Sequence, residues 1–139
     1  MAPPPIDDAT IHRLLGEARL AQSRAYAPYS DFHVGAALLT ERGEVFGGCN
    51  VENASYGLTN CAERVAIGAM VAAGGGRPVA CVVLGPKPDV LTPCGACRQV
   101  LAEFNRDMPV LCFGSDGAMR WWRVAELLPG AFDASALAD

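Results

Sequence analysis

The sequence has little positive charge, and this limits the partners that it can bind. Its 139 residues include 11 Lys and Arg against 15 Asp and Glu, so the net charge is -4 at pH 7. No segment contains a cluster of basic residues, whereas proteins that bind polynucleotides usually carry a basic face. The composition therefore disfavours nucleic acid as a partner and favours a small molecule.

Long apolar runs and targeting signals are also absent. No apolar run approaches the roughly 20 residues needed to cross a bilayer. The first eight residues have neither the basic nor the apolar region of a secretory signal peptide. We therefore expect no membrane association and a cytoplasmic location. With 51% hydrophobic and 19% charged residues, the chain can bury a core, and its length fits a single domain over residues 1–139.

The six cysteines fall into two groups. In a reducing compartment, cysteines indicate metal binding or catalysis more often than disulfides. Cys61, Cys94 and Cys97 lie in polar or Pro/Gly-rich contexts, where the sequence reads CAE at 61–63 and PCGAC at 93–97. The others lie in apolar stretches and are expected in the core: Cys49, Cys81 and Cys112.

Hydrophobic periodicity and turn residues predict alternating helices and strands. Helices are predicted over residues 7–25, 61–73, 94–104 and 125–128. Strands are predicted over residues 32–40, 44–51, 78–84, 109–114 and 119–124, with the first two joined as a β-hairpin. Short buried strands between helices indicate an α/β protein, namely a three-layer α/β/α sandwich around a five-stranded mixed sheet.

Three cysteines in this pattern suit a catalytic zinc site. Zinc binds thiolates, and a catalytic site keeps its fourth position open for water. Both halves of the motif fall at predicted helix starts, where free N–H groups and partial positive charge favour thiolates. We therefore expect Cys61, Cys94 and Cys97 to hold one Zn²⁺ per chain.

Glu63 lies two residues after the first ligand, which predicts a proton shuttle at the open position. Three thiolates leave a zinc site with a net charge of about -1, so that a neighbouring cation would help the metal to activate water. Arg64 and Arg98 each directly follow part of the motif. We expect both arginines to lie next to the metal ligands, where their guanidinium groups can donate hydrogen bonds to sulfur.

Two other interpretations of the cysteines stay open at this point. In the first, the metal only stabilises the fold, which predicts a fourth protein ligand, Cys49 or Cys81, and leaves Glu63 without a purpose. In the second, Cys94 and Cys97 form a redox pair that cycles to a disulfide and releases the metal.

The sequence as a whole resembles the zinc-dependent cytidine deaminases of the short bacterial and animal type. Four blocks carry the resemblance: VGAA at 34–37, GCNVENASY at 48–56, CAER at 61–64 and PCGACRQ at 93–99. It extends over residues 29–132. Cys61 stands where the His-x-Glu pattern of other zinc deaminases has histidine.

The resemblance implies the deaminase fold and a reaction. Cytidine and 2'-deoxycytidine would be hydrolysed to uridine and 2'-deoxyuridine, in pyrimidine salvage, by zinc-bound hydroxide with Glu63 as the proton shuttle. Asn50 and Glu52 would hold the ribose hydroxyls, Phe32 would pack on the pyrimidine ring, and the backbone N–H of Ala62 would meet the base carbonyl.

The resemblance also implies a homotetramer, in which Tyr56 and Phe132 complete a neighbour's pocket. Ser55 stands where relatives often carry cysteine, and the adjacent loop at 57–60 varies among them. Substrate range therefore stays open, with a modified nucleoside or a blasticidin-like antibiotic as the alternative substrate. The acidic balance disfavours a polynucleotide editor.

Overall fold

A computed structural model describes residues 1–138, and one five-stranded sheet forms its centre. The last residue of the expected domain, Asp139, lies outside the described residues. The strands are β1 (Gly35–Thr40), β2 (Val45–Cys49), β3 (Pro78–Leu84), β4 (Pro109–Phe113) and β5 (Met119–Arg123). Their order is β2-β1-β3-β4-β5, with β3 and β4 parallel and the other neighbours antiparallel. The predicted mixed sheet is confirmed.

The helices of residues 1–138 follow the predicted order. They are α1 (Asp8–Gln22), α2 (Ala62–Ala72), α3 (Gly95–Phe104) and α4 (Val124–Leu127), and two 3-10 turns at Tyr56–Leu58 and Ala134–Leu137 were not predicted. α1 begins after Asp7, whose carboxylate accepts a hydrogen bond from the Thr10 N–H at 2.8 Å. Within the described residues, none of the helices combines the length and the apolar character that a membrane span requires.

The sheet is covered by helices on both faces, as predicted. α1 covers one face through a cluster that includes Leu14 and Ala18, and α2 and α3 cover the other through a second cluster that includes Met70 and Leu101. Successive residues of β3 contribute to opposite clusters, since side chains alternate along a strand: Ala80 and Val82 to the first, Cys81 and Val83 to the second. These layers form the three-layer α/β/α sandwich.

Both strands of the first hairpin are shorter than predicted. Residues 32–34 precede β1, and Asn50 and Val51 follow β2. Asp31 has a left-handed φ of 56°, which turns the chain just before Phe32. Val51 forms isolated bridges to Tyr26 and Asn60 instead of extending β2. The two segments that carry Phe32 and Asn50 therefore lie at the edge of the sheet as irregular but hydrogen-bonded chain.

The first turn of α2 packs directly on β2, and this contact requires a glycine. A Cβ atom on Gly48 would lie 2.4 Å from the carbonyl oxygen of Ala62 and 2.4 Å from the backbone nitrogen of Ala66. Backbone atoms of a helix cannot move aside unless the helix moves. The missing side chain at Gly48 therefore sets the position of the start of α2.

We expect Gly48→Ala to displace α2 and to lower the free energy of unfolding by about 1–3 kcal/mol, the usual cost of overpacking. Gly68→Ala is the matched control, because Gly68 lies on the same helix and a Cβ there meets nothing within 4 Å. The control should be neutral or stabilising by up to about 1 kcal/mol. Denaturant unfolding measures both variants, and equal midpoints would contradict the packing argument.

Candidate metal centre and active site

The fold brings the three predicted cysteine ligands together. Cys61 and Cys94 are the N-cap residues of α2 and α3, and neither side chain makes a capping hydrogen bond. Their sulfurs are therefore free to point away from the helix ends, where they lie 3.6 Å apart. Cys97 lies one helical turn after Cys94, and all three sulfurs are within 4.8 Å of one another.

This cluster has the size and the composition of a zinc centre. Two sulfurs bound to one Zn²⁺ at about 2.3 Å in tetrahedral geometry are separated by about 3.8 Å. The observed separations need only small side-chain adjustments to reach that arrangement. Among residues 1–138, the metal-binding group consists of Cys61, Cys94 and Cys97 alone, with no fourth His, Cys, Asp or Glu. The geometry therefore favours an open catalytic site over a closed structural one.

The sulfurs differ in their affinity for protons before any metal binds. Hydrogen bonding from the Cys97 thiol, supported by the Arg64 guanidinium, lowers the pKa of Cys61 to about 5. The hydrogen bond to the Cys61 thiolate, together with burial, raises the pKa of Cys97. Of these two thiols, Cys97 therefore gives up its proton less readily than Cys61. The charge of a bound Zn²⁺ would lower the pKa of Cys97, because a metal deprotonates its thiol ligands.

Glu63 is buried beside the cysteines, with 4% of its surface exposed. Burial raises its pKa to about 7, the nearby Cys61 thiolate acts in the same direction, and the residue's own backbone N–H opposes them. A carboxyl group with a pKa near neutrality can both accept and release a proton at physiological pH. Glu63 lines the same cavity as Cys61 and Cys94.

The two arginines differ in what they contact. Arg64 donates to the Cys61 sulfur at 3.5 Å and to the Thr59 carbonyl at 3.4 Å. Arg98 donates to the Pro93 carbonyl at 2.8 Å, to the Leu127 carbonyl at 2.9 Å and to the Thr92 hydroxyl at 3.3 Å. Among the described residues, the Arg98 guanidinium thus donates to oxygen atoms around the segment before Cys94, and its place beside the ligands stays a prediction. Its planar fork fixes the segment before Cys94 because backbone carbonyls lie within its reach on both sides.

The cavity above the cysteines has a volume of about 260 Å³. Seven of the residues predicted to bind metal, transfer protons or bind substrate line it, and the other three, Cys97, Tyr56 and Phe132, do not. Its wall is formed by Ser30, Phe32, Val34, Asn50, Glu52, Thr59, Cys61, Ala62, Glu63, Leu91, Thr92 and Cys94. Residues from four separate parts of the chain therefore face one space beside the sulfurs.

Asn50 and Glu52 both line the cavity, although neither lies within β2. The chain stays extended there because the Tyr26 N–H donates to the Asn50 carbonyl and the Glu52 N–H donates to the Tyr26 carbonyl. Val51, between them, is not part of the cavity wall. The alternation predicted for a strand therefore persists beyond its end.

The side chains of these residues already hold the loop that precedes β1. The Asn50 amide donates to the Phe32 carbonyl at 2.7 Å and accepts from the Val34 N–H at 2.9 Å. An amide has two donor hydrogens and two acceptor lone pairs, so half of its capacity is left for a ligand. The Glu52 carboxylate accepts from the Ser30 hydroxyl and from the N–H groups of Tyr29 and Ser30. These bonds lower the pKa of Glu52, the Ser30 hydroxyl most of all.

Tyr56 and Phe132 do not line the cavity of their own chain. Tyr56 is 73% exposed and stands edge-on to Tyr29, with ring centroids 5.7 Å apart. Phe132 is 61% exposed and lies beyond α3, where its carbonyl accepts a hydrogen bond from the Gln99 side chain at 2.8 Å. Their contribution to a neighbouring subunit stays a prediction.

Sequence reasoning missed several residues of the cavity wall. Ser30 is the most informative, since its hydroxyl donates to Glu52 from 22 positions earlier in the chain. The only signal for it in the sequence is its place in the block YSDF at 29–32. Thr59, Leu91 and Thr92 lie in loops without periodicity, and only the folded chain brings them to the cavity.

Known proteins provide a comparison for this arrangement. The family model described as the cytidine and deoxycytidylate deaminase zinc-binding region matches residues 8–112. A cytidine deaminase of Sporosarcina psychrophila is 47% identical over 123 residues, which are 88% of this chain and 90% of that protein. One from Halalkalibacterium halodurans is 48% identical over 127 residues, 91% and 96% of the two chains. The crystal structure of cytidine deaminase from Burkholderia pseudomallei has a TM-score of 0.84 at 48% identity, covering 87% of this chain and 98% of that one.

The fold and the three-cysteine centre define a zinc-dependent hydrolytic deaminase. More narrowly, the chain belongs to the cytidine and deoxycytidylate deaminase family. The family predicted from the sequence, its α/β fold and its zinc cofactor are confirmed.

We expect the purified protein to contain one zinc ion per chain, held by the three clustered sulfurs. Cys61→Ser and Cys97→Ser should each lose most of the metal, because thiolates are the preferred ligands. Cys49→Ser is the control, since Cys49 is partly exposed and outside the cluster. Elemental analysis with titration of free thiols measures the result. Loss of zinc from Cys49→Ser as well would instead indicate a closed structural site with Cys49 as its fourth ligand.

Proposed function

We propose that this enzyme hydrolyses cytidine and 2'-deoxycytidine to uridine and 2'-deoxyuridine with release of ammonia, as a step of pyrimidine salvage. The supporting observation is that one cavity of about 260 Å³ joins the cysteine cluster and Glu63 to Asn50 and Glu52. Such a space suits one nucleoside. The net charge of -4 offers a polynucleotide no compensation for its phosphates.

Proton transfer is the role proposed for Glu63. Cys61, Cys94 and Cys97 would hold the Zn²⁺, whose chemistry is to activate a water molecule at neutral pH. Glu63 would carry one proton of that water to N3 of the cytosine ring while the oxygen adds to C4. It would then carry the proton of the new C4 hydroxyl to the amino group, which leaves as ammonia as the C4–N bond breaks and the C4 carbonyl forms. Its raised pKa of about 7 supports this cycle, since the group must gain and lose a proton in each turnover.

Substrate binding is proposed for four further residues of the cavity. Asn50 and Glu52 would bind the ribose hydroxyls with the hydrogen-bonding capacity that their loop contacts leave free. The lowered pKa of Glu52 keeps it an acceptor. Phe32 would pack on the pyrimidine. Ala62 is the first residue of α2, so its N–H has no partner within the helix and would donate to the base carbonyl.

Arginine contacts would tune the centre from outside the ligand set. Arg64 would withdraw charge from the Cys61 sulfur through its 3.5 Å contact, and Arg98 would hold the segment that leads into Cys94. Both effects act on ligand position and basicity, and neither arginine lines the cavity.

Assembly and location complete the proposal. The exposed aromatic rings of Tyr56 and Phe132 support a homotetramer in which each completes a neighbour's pocket, since large exposed apolar groups are typical of interfaces. We place the enzyme in the cytoplasm, where free cysteine ligands stay reduced. The two core clusters share one sheet, which supports a single domain over residues 1–139.

We expect Glu63→Gln to lower kcat for cytidine by about 10² to 10⁴-fold, the usual contribution of a positioned acid–base group. Zinc content should be unchanged, because Glu63 is not a ligand. Glu103→Gln is the control, since this exposed glutamate lies on α3 outside the cavity. The reaction is measured by the decrease of the cytosine absorbance band. Full activity of Glu63→Gln would contradict the proposed shuttle, and an inactive wild type holding one zinc per chain would direct the assay to modified nucleosides.

We expect Glu52→Gln to lower kcat/KM for cytidine by about ten- to a hundredfold, the worth of a hydrogen bond to a charged group. The effect should largely vanish for 2',3'-dideoxycytidine, which lacks both hydroxyls. Ser30→Ala serves as the comparison, because it removes a partner of the Glu52 carboxylate but keeps the carboxylate itself. Equal losses with both nucleosides would show that Glu52 acts only on the loop.

A further inference from the structure

The only lysine of the chain lies beside the substrate cavity. Lys87 belongs to the loop between β3 and α3, and its ammonium nitrogen lies 5.8 Å from the centroid of the Phe32 ring. This distance is within the range of about 6 Å over which a cation is attracted to the face of an aromatic ring. The contact joins two segments that are more than 50 positions apart in the sequence.

The Phe32 ring separates two spaces. It lines the cavity of about 260 Å³ that contains the cysteines, and it also lines a neighbouring cleft of about 230 Å³ that contains Lys87. Leu91 is likewise shared by both, so the two side chains form the wall between them. A contact made in the cleft that changes the position of the ring therefore also changes the shape of the substrate cavity.

The backbone of Lys87 is anchored, although its side chain is exposed. The Lys87 carbonyl accepts a hydrogen bond from the Ser115 N–H at 2.8 Å. The next residue packs so closely on the turn after β4 that a Cβ on Gly114 would lie 1.9 Å from the Pro88 carbonyl oxygen. The Gly85 N–H donates to the Phe113 carbonyl at 3.1 Å. These contacts therefore fix the backbone of Lys87 relative to the end of β4.

No ion pair within residues 1–138 includes Lys87, although Asp89 lines the same cleft. The ion pairs found within these residues join His33 to Asp31 and Arg106 to Asp133. Phe32 follows a left-handed residue and lies outside any strand, and its partly buried side chain packs against the edge of the core cluster that includes Val34. Its backbone is held by the Asn50 amide and the Ser30 hydroxyl, and these two bonds do not involve the ring.

We propose that Lys87 is a positioning residue that holds the Phe32 ring against the substrate cavity through a cation–π contact. The statement that the positioned ring meets a pyrimidine rests on the proposed function. Lys87 acts through Phe32 and touches no reacting atom. The contact therefore strengthens the binding of ground state and transition state alike. Its loss should raise KM and leave kcat unchanged.

The test compares Lys87→Met, which keeps the aliphatic stem and removes the charge, with Lys87→Arg, which keeps a cation able to stack on a ring. We expect Lys87→Met to raise KM for cytidine about two- to fivefold, the value of an exposed cation–π contact. Its kcat should stay within twofold, and Lys87→Arg should restore KM. In a Phe32→Leu background, Lys87→Met should add no further change.

A second readout needs no turnover. The protein is labelled with 4-fluorophenylalanine at its five phenylalanines, and the Phe32 resonance is assigned from its loss in Phe32→Leu. Lys87→Met should shift this ¹⁹F resonance and leave the other four in place, and Lys87→Arg should reduce the shift. An unchanged Phe32 resonance, or a KM effect that persists in Phe32→Leu, would overturn the proposal. Failure of the wild type to deaminate cytidine would instead reject the proposed substrate, while the resonance still decides whether Lys87 holds Phe32.

Discussion

The meeting of two helix starts on one side of the sheet is the constraint on which the site depends. α2 leads into β3 and α3 follows it, so both helices begin at the carboxyl end of this strand, which pairs in parallel with β4. In open α/β sheets, this edge is where ligands bind. The N-cap positions of both helices are cysteines, and their sulfurs therefore meet 3.6 Å apart without any covalent link. Gly48 permits the approach, since any side chain there would displace the first turn of α2.

This arrangement concentrates negative charge in a poorly solvated place. Burial and the Cys61 thiolate together hold the pKa of Glu63 at about 7, and the same thiolate suppresses ionisation of Cys97. Arg64 is the nearest compensating cation, through its contact with the Cys61 sulfur. A divalent cation removes most of this conflict, because its charge favours thiolate at every ligand. A group of three thiols beside a buried carboxyl is therefore one whose charges a bound metal would balance.

The remaining wall of the cavity comes from loops that are ordered by polar contacts. Asn50 and Glu52 tie the segment before β1 to the segment after β2, and Arg98 ties the segment before Cys94 to the end of α4. Loops held in this way can vary in sequence and still present a defined surface. Residues proposed to contact substrate therefore have a second function in the apoprotein, because the same side chains maintain the loops that shape the cavity.

The residue types of the metal site and the order of the helices and strands could be predicted from the sequence. Three cysteines at 61, 94 and 97 with an unliganded Glu63 are sufficient to indicate a zinc site. The spacings of Cys94 to Cys97 and of Cys61 to Glu63 are local, and the ligand type follows from the residues themselves. Apolar runs likewise predicted the strands of the sheet, since residues buried on both faces form continuous runs. These features depend on neighbours in sequence, so a pattern can reveal them.

Tertiary structure alone decided the properties that depend on distant neighbours. Arg64 reaches a sulfur and Arg98 does not, although both follow the motif in the same way, because only Arg98 has carbonyls of two other segments within reach. Three other features could not be predicted from the sequence: the ends of the first hairpin, the hydrogen bond from Ser30 to Glu52 and the contact between Lys87 and Phe32. Each joins loops that have no periodicity, and such contacts arise only when the sheet and its helices have placed those loops side by side.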